Sequence, residues 1–377
     1  MIAPLFFFGS LRDRDLLEVV LGRNVEPTDL VSAEAGGFRT LQLGAEAYPY
    51  LAPAVGHSSE GVVVQNLTPT DISRLEYFEE AEYGLAPIDV RAADGLIAAQ
   101  FFKSTDKLPA TQIPWDFSAW LRDEKPVAME AARELMAHID IVPLEESDRI
   151  WHGIKIRALM RVRAAAEVPV TGGLRTGRGP GDVISEEIGR PYTEYFAIEE
   201  HRLRHRLFNG GMSAPIQRTA VTSGDAVTIV PYDPTSDRVM LIEQFRAAMF
   251  ARGDTCPWGI EAIAGRIDKE LSAEACARRE AEEEGGLTLG RVEQIAAYYS
   301  SPGFVAEHIT SFVGEADLSG SGGVFGLDVE NEDIRAFTCT FDEAMAAVGR
   351  GEINNAPAVL TIQWLALNRQ RLKADWG

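Results

Sequence analysis

Residues 264–287 read AGRIDKELSAEACARREAEEEGGL, and this stretch decides how the C-terminal half is understood. Ser272 is a natural N-cap and Gly285-Gly286 a natural stop, so the spacing predicts a helix over residues 272–284. Inside it Glu280 and Glu284 stand four apart and share a face, with Glu283 beside them. Like charges at that spacing repel, and they sit in the C-terminal half, where the helix dipole disfavours anions. A bound cation removes both conflicts. Hard divalent ions select such oxygen clusters, and magnesium in particular takes a few carboxylates together with phosphate oxygens. For the glutamates taken alone, a solvated acidic face is the simpler account.

Working outward, AVTIVPYD (residues 226–233) and RVMLIEQF (238–245) are near-continuous apolar runs separated by a D-P-x-x-D turn, as buried strands would be. IAAYYS (295–300) and ITSFVGEA (309–316) are strand-like, and helices are expected over 342–348 and 357–372. Upstream, HRLRHRLF (201–208) alternates like a strand. His201 and His205 stand four apart there, but no third metal ligand accompanies them. PVTGGLRTGRGPGD (169–182) lacks the GK[ST] ending of a phosphate-binding loop and reads as a linker.

Residues 114–166 look helical: Trp115, Phe117, Trp120 and Leu121 open the segment, Pro126 and Pro143 punctuate it, and Ile150, Ile154, Ile156, Leu159 and Val162 continue it. Residues 1–107 alternate short apolar runs with turns: APLFFFGS (3–10), FRTLQL (38–43), EGVVVQNL (60–67) and LIAAQFFKS (96–104). A helix is expected over 70–80, with Thr70 or Asp71 near its start. The segment reads as a compact α+β or small barrel domain.

A chain of 377 residues suits two domains, and 46% apolar with 25% charged residues lets each bury a core. The net charge of −21 leaves no electrostatic footprint for nucleic acid or anionic lipid. A small phosphate substrate stays compatible, because divalent cations mediate between carboxylates and phosphate oxygens. Cys256, Cys276 and Cys339 have no CxxC spacing and are too few for a disulfide scaffold, so a reducing compartment is expected. The first apolar run is broken by Pro4 and lacks a basic start, unlike a signal peptide, and no stretch is long enough to span a bilayer. A cytoplasmic protein is the expectation. GxSxG, HExxH and paired CxxC motifs are lacking.

The 264–287 stretch resembles the Nudix box: Gly, five spacers, Glu, seven spacers, then REUxEExGU with U aliphatic. Gly265 starts it, and Arg279, Glu280, Ala281, Glu283, Glu284, Gly286 and Leu287 fall in register. Leu271 stands where the first Glu belongs, the residue that in the family pairs with the Arg, here Arg279; Glu270 lies one residue early. Further likeness to bacterial ADP-ribose pyrophosphatases runs through RHRLFNGGMS (204–213), LIEQFR (241–246), WGIEAIAG (258–265), SSPGF (300–304) with Pro302, ENEDI (330–334) and GEINNAPAVLTIQWL (351–365). The resemblance implies an α/β/α sandwich over 191–377 that hydrolyses ADP-ribose, or a related nucleoside diphosphate sugar or dinucleotide, to AMP and ribose 5-phosphate in the ADP-ribose case. It implies Mg2+, two or three ions per site and replaceable by Mn2+, held by the carbonyl of Ala264 with Glu280, Glu284 and Glu332. Glu330 is the implied base and Glu283 a further catalytic candidate. Arg218, Arg246 and Glu307 match substrate-contacting positions, and a homodimer is implied. A module that senses a nucleotide without cleaving it is the competing reading, supported by Leu271.

FFFGSLRD (6–13), GAEAYPYLAP (44–53) and residues 60–84 together resemble the γ-glutamylcyclotransferase-like fold. Gly9, Ser10 and Leu11 match the loop whose amides bind a substrate carboxylate, and Glu79 matches the acid/base glutamate. Glu80 replaces the usual Gly after it, and Leu85 the frequent Arg. This resemblance implies a small β-barrel over 1–107 that is either a γ-glutamyl cyclotransferase or a docking module. Residues 108–190 would be the helical segment and linker, giving a mixed α+β chain similar in arrangement to bacterial tellurite-resistance proteins carrying a Nudix domain.

Overall fold

The computed structural model describes residues 2–44, 48–79, 83–104, 110–167, 173–268, 271–326 and 332–377. They form two compact units: Met1–Ala197 with Arg204–Ala214, and Ile198–Leu203 with Pro215–Gly377.

The first unit begins with β1 (Leu5–Phe7), α1 (Arg14–Leu21), β2 (Leu30–Leu43), β3 (Tyr48–Val64), α2 (Pro69–Glu79), β4 (Tyr83–Ala92) and β5 (Gly95–Ser104). The strands close a five-membered ring, β3-β1-β5-β4-β2 and back to β3, and β6 (Ala110–Pro114) adds to β2 outside it. The ring explains why the apolar runs do not alternate. Phe6, Val63, Ala99 and Phe101 fill the barrel, while Leu5, Phe7, Val64 and Phe102 face a helical layer, so both faces are buried. That layer comprises α1, α2, α3 (Phe117–Asp123), α4 (Lys125–Met136) and α5 (Ser147–Ala166). Its centre holds a fully buried ion pair, Arg157 Nε to Glu134 Oε1 at 2.6 Å, and Arg161 takes the other oxygen. Helix α2 begins one residue before the expected 70, with Thr70 and Asp71 in its first turn; Thr68 and Asp71 bond each other reciprocally and cap it. Helix α1, capped by Asp13, had no counterpart in the sequence reading.

β7 (Val183–Thr193) and β8 (Ala197–His205) follow, the latter where alternation predicted a strand. The second unit continues through β9 (Ile216–Thr222), β10 (Ala226–Asp233), β11 (Arg238–Phe245), α6 (Ala247–Arg252), β12 (Trp258–Glu261), β13 (Ile263–Arg266) and α7 (Ala273–Gly285). It ends with β14 (Val292–Tyr299), β15 (Val305–Ala306), β16 (His308–Glu315), β17 (Gly323–Phe325), β18 (Ile334–Thr340), α8 (Phe341–Arg350) and α9 (Ala356–Trp376). The main sheet runs β14-β16-β10-β11-β18-β17, with β12 beside β11 and β13 beside β10. Val227, Ile229, Met240 and Ile242 pack on α7; Val230, Tyr232, Val239 and Leu241 pack on α8 and α9. Consecutive apolar residues thus serve opposite faces, which makes the expected α/β/α sandwich. Among the described residues no helix is long and apolar enough to cross a membrane.

Candidate active site

Strand β13 runs antiparallel to β10, with Ala264 opposite Thr228 and Gly265 opposite Val227. Helix α7 crosses it and buries Cys276, Ala277 and Ala281 in the shared core. Ser272 caps the helix by accepting from Ala275 N at 3.1 Å, and Gly286, in the left-handed conformation, ends it. The spacing argument is realised here: Glu280 and Glu284, 8% and 4% exposed, face the strand rather than solvent. Glu284 Oε2 accepts the Ala264 amide at 3.2 Å. Glu280 lies so close to Gly265 that a Cβ on that residue would stand 1.9 Å from Oε1, so only glycine leaves room for the carboxylate.

Burial dominates the electrostatics. It pushes Glu284 up to about 8, helped by the charges of Glu280 and Glu332 and opposed by the Ala264 amide and Arg246. It pushes Glu280 up to about 7, opposed by Arg279 and reinforced by Glu283, Asp268 and Glu332. The charge of Glu332 adds a smaller upward push to both. Beneath Glu280, the buried Cys276 thiol, held up to about 11 by desolvation, lies 3.2 Å from the Arg266 carbonyl.

Arg279 gathers acids around it. Nη2 meets Glu280 Oε1 at 2.7 Å and Asp268 Oδ2 at 3.1 Å, and Nη1 meets Glu283 Oε2 at 3.0 Å. Leu271, at the position expected to hold an acid, packs against the apolar core instead. Glu270 and Glu330 lie outside the described residues. No ion pair to Glu284 occurs among the described residues, nor do three acidic, histidine or cysteine side chains there converge as a ready coordination shell. The donor chemistry nevertheless fits a hard divalent cation, because two desolvated carboxylates supply oxygen alone and lack enough opposing charge.

Arg246 follows β11 and is held by Glu261, whose Oε2 accepts from Nε at 2.9 Å and Nη2 at 2.5 Å. Glu261 was not singled out in the sequence, although it lies in WGIEAIAG. Beside Arg246, Phe245, Phe250 and Trp258 are exposed, with Phe245 and Trp258 edge-on at 5.7 Å. Glu307 accepts from Ser223 Oγ at 3.4 Å. Arg218 is exposed on β9 and donates to the Gln217 carbonyl; among the described residues no bond joins it to the carboxylates. His201 pairs with Glu199 at 3.2 Å.

In the first unit Gly9 precedes a 3-10 turn over Ser10–Arg12 that buries Leu11. A Cβ on Gly9 would sit 2.4 Å from the Pro49 ring. Leu11 shares a core with Tyr77 of α2. Glu79, the last residue of that helix, keeps some exposure as a whole, yet protein crowds its carboxyl group and burial raises it to about 7.

With this geometry, the chain is 40% identical over 201 residues to the ADP-ribose pyrophosphatase of Escherichia coli (strain K12), covering 53% of this chain and 95% of that protein. The chain belongs to the Nudix family. The NUDIX domain matches residues 222–361, and the domain described as gamma-glutamyl cyclotransferase, AIG2-like, matches residues 5–117. The Nudix half is also 36% identical to the ADP-ribose pyrophosphatase of Haemophilus influenzae over 187 residues, 49% of this chain and 86% of that one. The GDP-mannose pyrophosphatase of Pectobacterium atrosepticum is 33% identical over 187 residues, 49% of this chain and 93% of that one.

Proposed function

We propose that the Nudix domain is a divalent-metal-dependent hydrolase of ADP-ribose or a close nucleoside diphosphate sugar, releasing AMP and ribose 5-phosphate from the former. The observation that carries the reading is the burial of Glu280 and Glu284 against Ala264 and Gly265, a concentration of negative charge that ordinary packing disfavours. Glu280, Glu284 and Glu332 would hold Mg2+, or Mn2+ in its place, with the Ala264 carbonyl, in two or three positions. Such ions neutralise charge on phosphoryl oxygens and orient the diphosphate. Water adds to one phosphorus as the bridging P–O bond breaks, and a carboxylate takes the water's proton. Glu330 is assigned that task, with Glu332 and Glu283 as the neighbouring acids to compare by substitution. Arg246, fixed by Glu261, and Glu307 would hold the substrate; Arg218 would contribute from its exposed strand. The exposed group of Phe245, Phe250 and Trp258 supports a homodimer in which a second copy covers these rings.

A substrate panel tests this: AMP or GMP release from ADP-ribose, GDP-mannose and a dinucleotide, with Mg2+ and with chelator. Metal-dependent release that Glu284→Gln abolishes is the expected result. Nucleotide binding without hydrolysis in the parent would favour the sensing module and overturn the proposal.

A second reading concerns the first unit. The desolvated carboxyl of Glu79, poised near neutrality, suits a group that gives and takes a proton at physiological pH. It supports a γ-glutamyl cyclotransferase that releases 5-oxoproline, with Gly9, Ser10 and Leu11 lining the carboxylate-binding turn.

A further inference from the structure

We propose that Asp268 is a positioning residue for the metal site, holding Arg279 so that Glu280 is presented to a cation; this rests on the hydrolase reading above. Asp268 lies on the turn between β13 and α7, two residues beyond the strand that carries Ala264 and Gly265. Its Oδ2 lies 3.1 Å from Arg279 Nη2, the same nitrogen that reaches Glu280 Oε1 at 2.7 Å. The other arm of the guanidinium reaches Glu283 at 3.0 Å. A guanidinium is a rigid planar fork, so acids on both arms fix its plane. Asp268 therefore shares the nitrogen that would otherwise belong to Glu280 alone. Without that share, Arg279 Nη2, already 2.7 Å from Oε1, serves Glu280 alone and competes more strongly with a cation for its lone pairs. The same contact ties the turn after β13 to the middle of α7, keeping Gly265 under Glu280. Leu271, packed in the core, offers Arg279 no charge, so an acid three residues earlier in the chain does the work.

Mn2+ binding to the full-length protein, without nucleotide, tests this by calorimetric titration. Asp268→Asn is expected to raise the Kd about tenfold or more, as loss of an outer partner of a metal ligand does. Asp268→Glu should recover most of the affinity, and Arg279→Lys, which keeps charge but loses the fork, should weaken binding as well. Circular dichroism of each variant without metal shows whether the fold is kept, and Asp268→Glu decides the matter if Asp268→Asn is unfolded. Parent-like affinity in Asp268→Asn, with binding lost in Glu280→Gln, overturns the role of Asp268 and leaves the hydrolase reading standing. Failure of the parent to bind Mn2+ overturns both.

Discussion

Glutamine at position 284 should stabilise the metal-free protein and remove its response to metal. Burial raises the Glu284 carboxyl from 4.5 to about 8, so the folded protein binds that proton far more tightly than the unfolded chain. The stability this confers is complete below the unfolded value of 4.5 and is lost as pH climbs through about 8. The interval of about 3.5 units, at about 1.36 kcal/mol each, sets a ceiling near 5 kcal/mol. Water entering the cleft around the ionised group reduces this, and about 2 kcal/mol is the expected gain for Glu284→Gln at pH 8. Glutamine stays neutral, and its carbonyl can still accept the Ala264 amide. For a domain of this size the gain corresponds to roughly 4–8 °C in Tm. Thermal melts in chelator should therefore show the variant above the parent at pH 8 and close to level with it at pH 4. Saturating Mg2+ should reverse the order, since a ligand at 100 times its Kd stabilises the parent by about 2.7 kcal/mol. A parent that melts with the variant at pH 8 in chelator would refute the claim that this carboxylate is desolvated.

Gly265→Ala should displace the Glu280 carboxylate, lowering kcat/KM for ADP-ribose on the order of 100-fold while costing about 1–3 kcal/mol of stability; unchanged kinetics would mean the strand yields instead. Arg246→Lys loses the two-pronged grip on Glu261, so KM should rise about tenfold with kcat nearly kept, read from steady-state kinetics. In the first unit, 5-oxoproline release from γ-glutamyl peptides should rise with pH through about 7 if Glu79 acts as base, and Glu79→Gln should abolish it without altering AMP release.

Much of the fold was legible because its strands are buried on both faces. Runs such as TIVPYD and VMLIEQF cannot be surface hairpins, and the structure places their successive residues on opposite cores. β4 escaped notice because Pro87 lies in the strand, where it pairs with Gln100 although proline normally marks an edge or a break. α1 escaped because its charged opening, RDRD, looks like a loop; only the Asp13 cap and Gly22 at its end mark the helix. In the candidate site, spacing put Glu280 and Glu284 on one helical face, but only the likeness to the Nudix box made that face more than a solvated one. Asp268 and Glu261 were not legible, because each acts on an arginine brought near by a turn or a neighbouring strand, and no periodicity records that approach.

Helix α7 itself holds glutamates in two different settings. In its first turn Glu274 sits at the favourable end of the dipole and pairs with Arg278 at 2.8 Å, an exposed contact that follows every local rule. Glu280 and Glu284 break those rules twice: like charges share a face at the wrong end of the helix, and the face is buried. The fold offsets these conflicts only in part, because the Ala264 amide gives Glu284 one hydrogen bond and Arg279 divides itself among three acids. Sequences tend to break local rules where function demands it. The same helix holding both kinds of glutamate makes a general excess of acidic residues an insufficient account, since that excess would be relieved at the surface, as Glu274 is. Burial of Glu280 and Glu284 makes sense once a cation enters the balance.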